Sequence, residues 1–306
     1  MKPWHSIKLW WRALRPISFP ASAVPALLGV ALAWQAGVAI RVDLAVMTLF
    51  GAVAVHAAVN LLQDYFDFKN GIDRAGTLGG SGVLVEGSLT PRDILVASIY
   101  FFAISAVAAL PLVARAGMPL ILIIAGGFVA GAGYAVPGKG FKYRALGDAA
   151  VFLAFGIGIT LGSYFIQARS ISWSAVLCAF SFGLLVDGIL HANNMRDAED
   201  DLKVGLRTLV SIIGTKGSRI FFASLIAGAY VIPLVAVAAR ALPPGVLLTL
   251  ITLPLAIPLL RDVWRAQPSD RPVMALAVDR TAKLSLAFGI AMMAGVVSTR
   301  LLKDLI

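Results

Sequence analysis

Charge is scarce in this chain. Asp, Glu, Lys and Arg together make up only 14% of its 306 residues, while apolar residues make up 59%. A soluble globular domain carries about 25% charged residues. So little charge cannot cover a water-exposed surface, so lipid must be the solvent for most of the molecule. Cysteine is nearly absent. The single Cys178 lies in an apolar run, which excludes a disulfide framework within one chain. Three histidines and one cysteine are too few for the usual zinc cages. The N-terminal stretch MKPWHSIKLWWRALRP lacks an apolar core followed by a small-residue cleavage site, so it does not read as a cleavable signal. No long polar stretch leaves room for a separate soluble domain, and residues 1–306 read as one membrane-embedded domain.

What is present is a series of long apolar runs. A membrane-crossing helix needs about 20 predominantly apolar residues. The runs predict an all-α, polytopic bundle of about nine spans, near 17–36, 44–62, 94–114, 118–136, 148–168, 174–194, 219–239, 245–260 and 284–302. The eighth is short and contains Pro254 and Pro258. Before the first span, residues 1–16 predict an interfacial helix with Ile7, Trp10, Trp11 and Leu14 on one face and Lys8, Arg12 and Arg15 off it.

The net charge of +10 does not point to nucleic acid in such a chain. Lys and Arg accumulate in cytoplasmic loops of membrane proteins. With nine spans, twenty of the 26 basic residues fall on the side of the N-terminus. The other side holds six: Arg41, Arg115, Arg169, Arg240, Arg300 and Lys303. This predicts a cytoplasmic N-terminus, an external C-terminus and insertion in a cell (inner) membrane.

Acidic residues gather on the same side, although Asp and Glu contribute little to orientation. Function should explain them. One cluster follows the second span: Asn60, Gln63, Asp64, Asp67 and Asp73. If that span continues as a helix, Asn60, Asp64 and Asp67 share a face at i, i+4 and i+7. The other follows the sixth span: His191, Asn194, Arg196, Asp197, Glu199, Asp200 and Asp201, with Asp197 and Asp201 at i, i+4. Facing carboxylates at a membrane surface are costly unless a cation neutralises them. Hard oxygen ligands suit Mg²⁺, which is commonly held by one or two carboxylates plus substrate phosphates. Lys139, Lys142, Arg144, Arg196, Lys203 and Arg207 lie in the same loops. Carboxylates, Mg²⁺ and a ring of basic groups suggest a diphosphate site, with Asp64, Asp67, Asp197 and Asp201 as metal ligands. The bland alternative is a pair of solvated loops of mixed charge.

These two motifs resemble those of the UbiA superfamily of intramembrane prenyltransferases, from about residue 15 to residue 283. The family's first motif is N-D-x-x-D, matched at Asp64 and Asp67. Its second is D-x-x-x-D with a nearby Lys or Arg and Gly, matched at Asp197 and Asp201 with Lys203, Gly205 and Arg207. The family's motif Asn falls on Gln63 here, and Asn60 supplies an amide one turn earlier. Four stretches resemble the 1,4-dihydroxy-2-naphthoate branch of menaquinone synthesis: DYFDFKNGID (64–73), GGSGVLVEG (79–87), KYRALGD (142–148) and HANNMRD (191–197).

The resemblance implies Mg²⁺-dependent transfer of a polyprenyl group from its diphosphate to an aromatic acceptor, through an allylic cation. In the naphthoate branch the acceptor also loses CO₂. Tyr65, Phe66, Tyr134, Tyr143 and Phe152 are candidates for facing that cation through their rings. Asp187 falls inside the sixth span, where a carboxylate is costly and often functional. It and His191, one turn on, are candidates for the acceptor's hydroxyls. The alternative for both is a structural bond between helices. Competing functions are prenylation of another phenol, such as 4-hydroxybenzoate or homogentisate, and a multi-pass transporter. A transporter would place its key polar groups near the midplane, whereas these acids lie mostly at one face.

Overall fold

A computed structural model describes residues 3–134, 136, 140–266 and 270–305. Among the described residues it is all helix and turn, without strands. The helices are α1 (Pro3–Leu14), α2 (Pro20–Gln35), α3 (Val42–Lys69), α4 (Pro91–Ala116), α5 (Met118–Tyr134), α6 (Gly147–Val151), α7 (Ile159–Ala168), α8 (Trp173–Lys203), α9 (Leu209–Ala238), α10 (Leu253–Arg265) and α11 (Arg271–Leu305). A π-helical stretch, Phe152–Gly158, joins α6 to α7, so Gly147–Ala168 forms one span. The chain is a multi-pass membrane protein.

Among the described residues, seven helical segments are long and apolar enough to cross a bilayer. The bent pair Ile7–Ser18 and Pro20–Gln35, angled at 53°, makes an eighth if it is one span, and Met118–Tyr134 is a shorter apolar helix, so the expected nine is an approximate count. The eighth expected span, Pro244–Arg265, starts as a 3₁₀ stretch (Pro244–Thr252) before becoming α10. Prolines at 243, 244, 254 and 258 remove backbone donors there and favour the tighter winding.

Several helices run past the apolar stretches that announced them. α3 continues to Lys69, α8 to Lys203, and α11 begins at Arg271 rather than near residue 284. Hydropathy marks only the part in hydrocarbon, while the helix itself persists into the polar zone. This extension carries the acidic motifs, because Asp64, Asp67, Asp197 and Asp201 all sit on the last turns of α3 and α8.

α8 is the central element. Two thirds of its span (67%) is buried within the protein, against 11% for α4, which faces lipid along most of its length. α8 packs on α9, α11 and the π-helical stretch. Small residues permit the closest crossing. A Cβ at Gly156 would overlap the Cα of Gly183, so both positions need glycine. Phe182, Phe222, Phe288, Leu185 and Leu284 fill the core around it.

α1 differs from expectation. Trp10, Ala13 and Leu14 turn inward onto Leu61, Val83, Leu84 and Ile94. Ile7 and Trp11 face outward, 58% and 65% exposed. The expected single face is split because protein and lipid are both apolar, and an amphipathic pattern does not separate them. Packed this way, α1 holds down the loop after α3.

Candidate active site

The two acidic clusters converge on one cavity of about 260 Å³. Asp67 and Asp73 line it from α3 and the following loop, and Asp197, Asp200 and Asp201 line it from α8. Deeper along the same helices the wall turns apolar: Val59 on α3, Val186, Ile189 and Leu190 on α8, with Ile17, Ala21 and Phe155. From His56 to Asp67 is eleven residues, or roughly 16 Å of helix. The cavity thus has an acidic mouth and an apolar depth.

Four of the acids, Asp64, Asp67, Asp197 and Asp200, are paired with cations. Asp67, almost fully buried, accepts from Lys142 Nζ with both oxygens at 2.8 Å. Asp64 lies just behind the wall, where Arg15 Nη2 donates to it at 2.7 Å and the Ser81 backbone N–H at 3.1 Å. Arg15 adopts a left-handed conformation (φ 52°) at the break between α1 and α2, which aims its side chain at α3. Asp197 is bound by its neighbour Arg196 through both oxygens, at 2.7 and 2.6 Å. Arg74 reaches from the first loop to Asp200 at 3.6 Å, so the two clusters are tied together.

The loop after α3 folds back over the acids. At Gly80 (φ +64°) a side chain would collide with the Asp73 carboxylate, so both conformation and space demand glycine. Buried beneath this loop, Asp73 has its carboxyl pushed up to about 7. Burial is the main cause, followed by the carboxylates of Asp67 and Asp64, with Lys142 and Arg15 opposing.

The remaining expected residues divide. Asn60 is buried and donates to Leu14 O and Ser18 Oγ, bracing the α1–α2 break. Gln63 lines the cavity and accepts from Arg15 at 3.5 Å. Asn194 lines it too. Arg144, Lys203 and Arg207 are exposed and do not line it, and Lys203 instead pairs with Asp200. Lys139 lies outside the described residues. Of the five aromatic candidates only Tyr134 lines the cavity. Tyr65, Phe66, Tyr143 and Phe152 do not.

Asp187 and His191 are buried on α8 one row behind the lining residues. His191 Nδ1 bonds Asp148 Oδ1 at 2.7 Å, and Asn194 Nδ2 approaches the other oxygen of Asp148 at 3.4 Å. His191 Nε2 and Asp187 Oδ1 have no partner.

Sequence reasoning missed Arg15 and Asp148 as site residues, as well as His56 and Phe155. His56 lines the cavity, bonded to Ser22 and Ser18, with its ring edge-on to Phe155 at 4.9 Å. Asp200 lay in the motif but was not chosen.

Among the described residues no three acidic or histidine groups already form a closed metal cage. The donor set nonetheless fits Mg²⁺. Five Asp side chains ring one mouth, each offers hard oxygens, and Mg²⁺ commonly needs only one or two carboxylates, with substrate phosphate and water completing the shell.

The UbiA prenyltransferase family model matches residues 22–287. This chain belongs to the UbiA prenyltransferase family. It is a prenyltransferase. It is 34% identical over 287 residues to UbiA prenyltransferase domain-containing protein 1 of Gallus gallus, covering 93% of this chain and 83% of that protein. It is 29% identical to the 1,4-dihydroxy-2-naphthoate octaprenyltransferase of Bacillus subtilis (strain 168), covering 94% and 92%. Its fold matches a UbiA homologue from Archaeoglobus fulgidus, solved with GPP and Mg²⁺, with a TM-score of 0.63 at 19% identity, covering 95% and 99%.

Proposed function

We propose that this enzyme transfers a polyprenyl group from polyprenyl diphosphate to 1,4-dihydroxy-2-naphthoate, with Mg²⁺ and with loss of CO₂, in menaquinone synthesis. The observation that carries the transfer chemistry is the convergence of both acidic clusters and three cations, Arg15, Lys142 and Arg196, on a cavity with an apolar depth. The acceptor rests on the naphthoate-branch stretches and the Bacillus subtilis relative.

In this reading Asp64 or Asp67 on α3 and Asp197 or Asp201 on α8 hold the metal. Bound Mg²⁺ supplies positive charge against the developing negative charge of the departing diphosphate. Lys142 and Arg196, which pair with Asp67 and Asp197, line the same cavity as Arg15, and these three cations would hold the phosphates as preorganised charge aimed at the leaving group. The allylic C–O bond breaks and its electron pair leaves with diphosphate. Phe155, Tyr134 and His56 line the wall beside the resulting cation and exclude water, the aromatic faces offering attraction. The ring carbon bearing the carboxylate attacks. CO₂ departs, and the electrons of its bond restore aromaticity.

Asn193 and Asn194, on the lining face of α8, are placed to bond the acceptor's hydroxyls. Asp187, His191 and Asp148 stand behind them and orient that wall. The same reading places the acidic mouth at the cytoplasmic face of a cell inner membrane.

The test is product analysis. Membranes containing this chain receive one polyprenyl diphosphate and, in turn, the naphthoate, 4-hydroxybenzoate and homogentisate. A demethylmenaquinol formed with CO₂ release is expected. Efficient use of 4-hydroxybenzoate with the naphthoate ignored would move the chain to another branch.

A further inference from the structure

A second hollow lies away from the active site, between α9 and α10. It encloses about 390 Å³ and is lined by Arg219, Phe222, Leu260, Arg261, Trp264 and Arg265, among others. Arg261 and Arg265 are one turn apart near the end of α10 and are exposed. Among the described residues neither has a carboxylate partner. The only acid on α10, Asp262, is taken by Arg280 at 2.5 Å. Arg219 is anchored by donating to Ala266 O. Arg219, Arg261 and Arg265 therefore line one crevice, and the acid on α10 is already paired.

Exposed apolar side chains lie on the same two helices just outside its lining. Ile257 lies one turn before Arg261 and is 55% exposed, and Ile220, beside Arg219, is 52% exposed. Trp264 is half exposed between the two α10 arginines in sequence, an amphipathic ring of the kind enriched at the membrane surface. A ligand filling this place needs an anionic head and an aliphatic body. Basic pockets between membrane helices suit the phosphate heads of anionic lipids, and Arg matches phosphate with paired donors.

We propose that this crevice is a binding site for an anionic glycerophospholipid, with the headgroup phosphate between Arg261, Arg265 and Arg219 and an acyl chain along Ile257 and Ile220. It lies outside the acid-lined cavity and shares no lining residue with it.

The experiment measures lipid binding to the purified full-length protein in neutral detergent, by native mass and by melting temperature. The probes are phosphatidylglycerol, phosphatidylcholine, inorganic phosphate and geranyl diphosphate. Phosphatidylglycerol should bind and raise the melting temperature, and phosphatidylcholine should do neither. The double variant R261Q/R265Q should weaken phosphatidylglycerol by about thirtyfold, at about 1 kcal/mol per basic residue, while prenyl transfer stays unchanged. R261K/R265K keeps the charge but loses the paired donors, so its affinity should fall between those of wild type and R261Q/R265Q.

Undiminished phosphatidylglycerol binding in R261Q/R265Q would overturn the site, as would equal binding of phosphatidylcholine. Inorganic phosphate binding as tightly as the lipid would reduce the crevice to a phosphate site and overturn the lipid assignment. So would geranyl diphosphate displacing phosphatidylglycerol from it. Should R261Q/R265Q fail to fold, brominated phosphatidylglycerol decides. It should quench wild-type fluorescence more than that of W264F, and equal quenching refutes the proposal.

Discussion

Replacing Asp67 by Asn should damage this enzyme twice, and the two effects can be separated. Asp67 and Lys142 form a pair whose side chains are only 6% and 9% exposed, with Lys142 Nζ at 2.8 Å from the carboxylate. At an effective dielectric near 20, unit charges about 4 Å apart attract by about 4 kcal/mol. Removing one member of a buried pair typically costs about 3–5 kcal/mol, because the other charge stays buried and unpaired. Asp201 lines the same cavity and can take over part of the charge of Lys142, which places Asp67→Asn near about 3 kcal/mol on that scale. Removing both charges, in D67N/K142M, should bring stability back to within about 1 kcal/mol of wild type. Turnover behaves differently. Loss of a preorganised charge contact costs about 10²–10³ in rate, and the double variant should be at least as slow as D67N. The assay is equilibrium unfolding in mixed micelles beside prenyl-transfer rates, for wild type, D67N, K142M and D67N/K142M. A double variant no more stable than D67N would refute the pairing. D67N with wild-type stability and wild-type turnover would refute both halves of the argument.

Asp197→Asn should slow turnover by a similar factor but cost less than about 1 kcal/mol of stability, because Asp197 is 24% exposed and its partner Arg196 can turn to water. Unfolding curves that shift as far as those of D67N would contradict this. The Asp73 carboxyl is raised to about 7 by burial and by the neighbouring carboxylates of Asp67 and Asp64, so it keeps its proton below that pH. Its protonated form contributes stability that is present at low pH and lost as pH rises through about 7. An ionised Asp73 adds negative charge beside Asp67 and Asp64 and so strengthens their hold on a cation; the Mg²⁺ concentration for half-maximal rate should therefore rise as pH falls below 7, and Mg²⁺ titrations at several pH values check it. A pH-independent requirement would sink it. Reporter fusions after Arg74 and at Ile306 should mark opposite sides of the membrane, and the same side for both would break the nine-span topology.

The acidic residues were legible because their spacing is local. Asp64 with Asp67, and Asp197 with Asp201, sit one turn apart on single helices, and that survives into the structure. Which cations meet them was legible only in part: Lys142 and Arg196 were among the candidates, but Arg15 was not, and which cation pairs with which acid was not readable. Lys142 lies 75 residues from Asp67 and Arg15 lies 49 from Asp64, distances no local pattern spans. Loop proximity favoured Arg144, Lys203 and Arg207, which the fold leaves outside the cavity. Asp148 was missed for the same reason, since it finds His191 across 43 residues. Phe155 was missed because a π-helical stretch shifts side chains off the 3.6-residue register, so Phe155 rather than Phe152 reaches the cavity. The all-helical, multi-span class was readable from apolar runs, but helix length and the exact number of spans were not. The last turns of α3 and α8 are polar, and hydropathy ends where the site begins.

The central claim is that one cavity, ringed by two carboxylate sets, performs metal-dependent prenyl transfer. It is tested most directly with the purified protein, a labelled polyprenyl diphosphate and the naphthoate acceptor, following diphosphate and prenylated product together. The account predicts equal amounts of both in Mg²⁺, none in EDTA, restoration on adding Mg²⁺ back, and near-complete loss in both D67N and D197N. Undiminished transfer in EDTA, or in a variant with both Asp67 and Asp197 replaced by Asn, would contradict it.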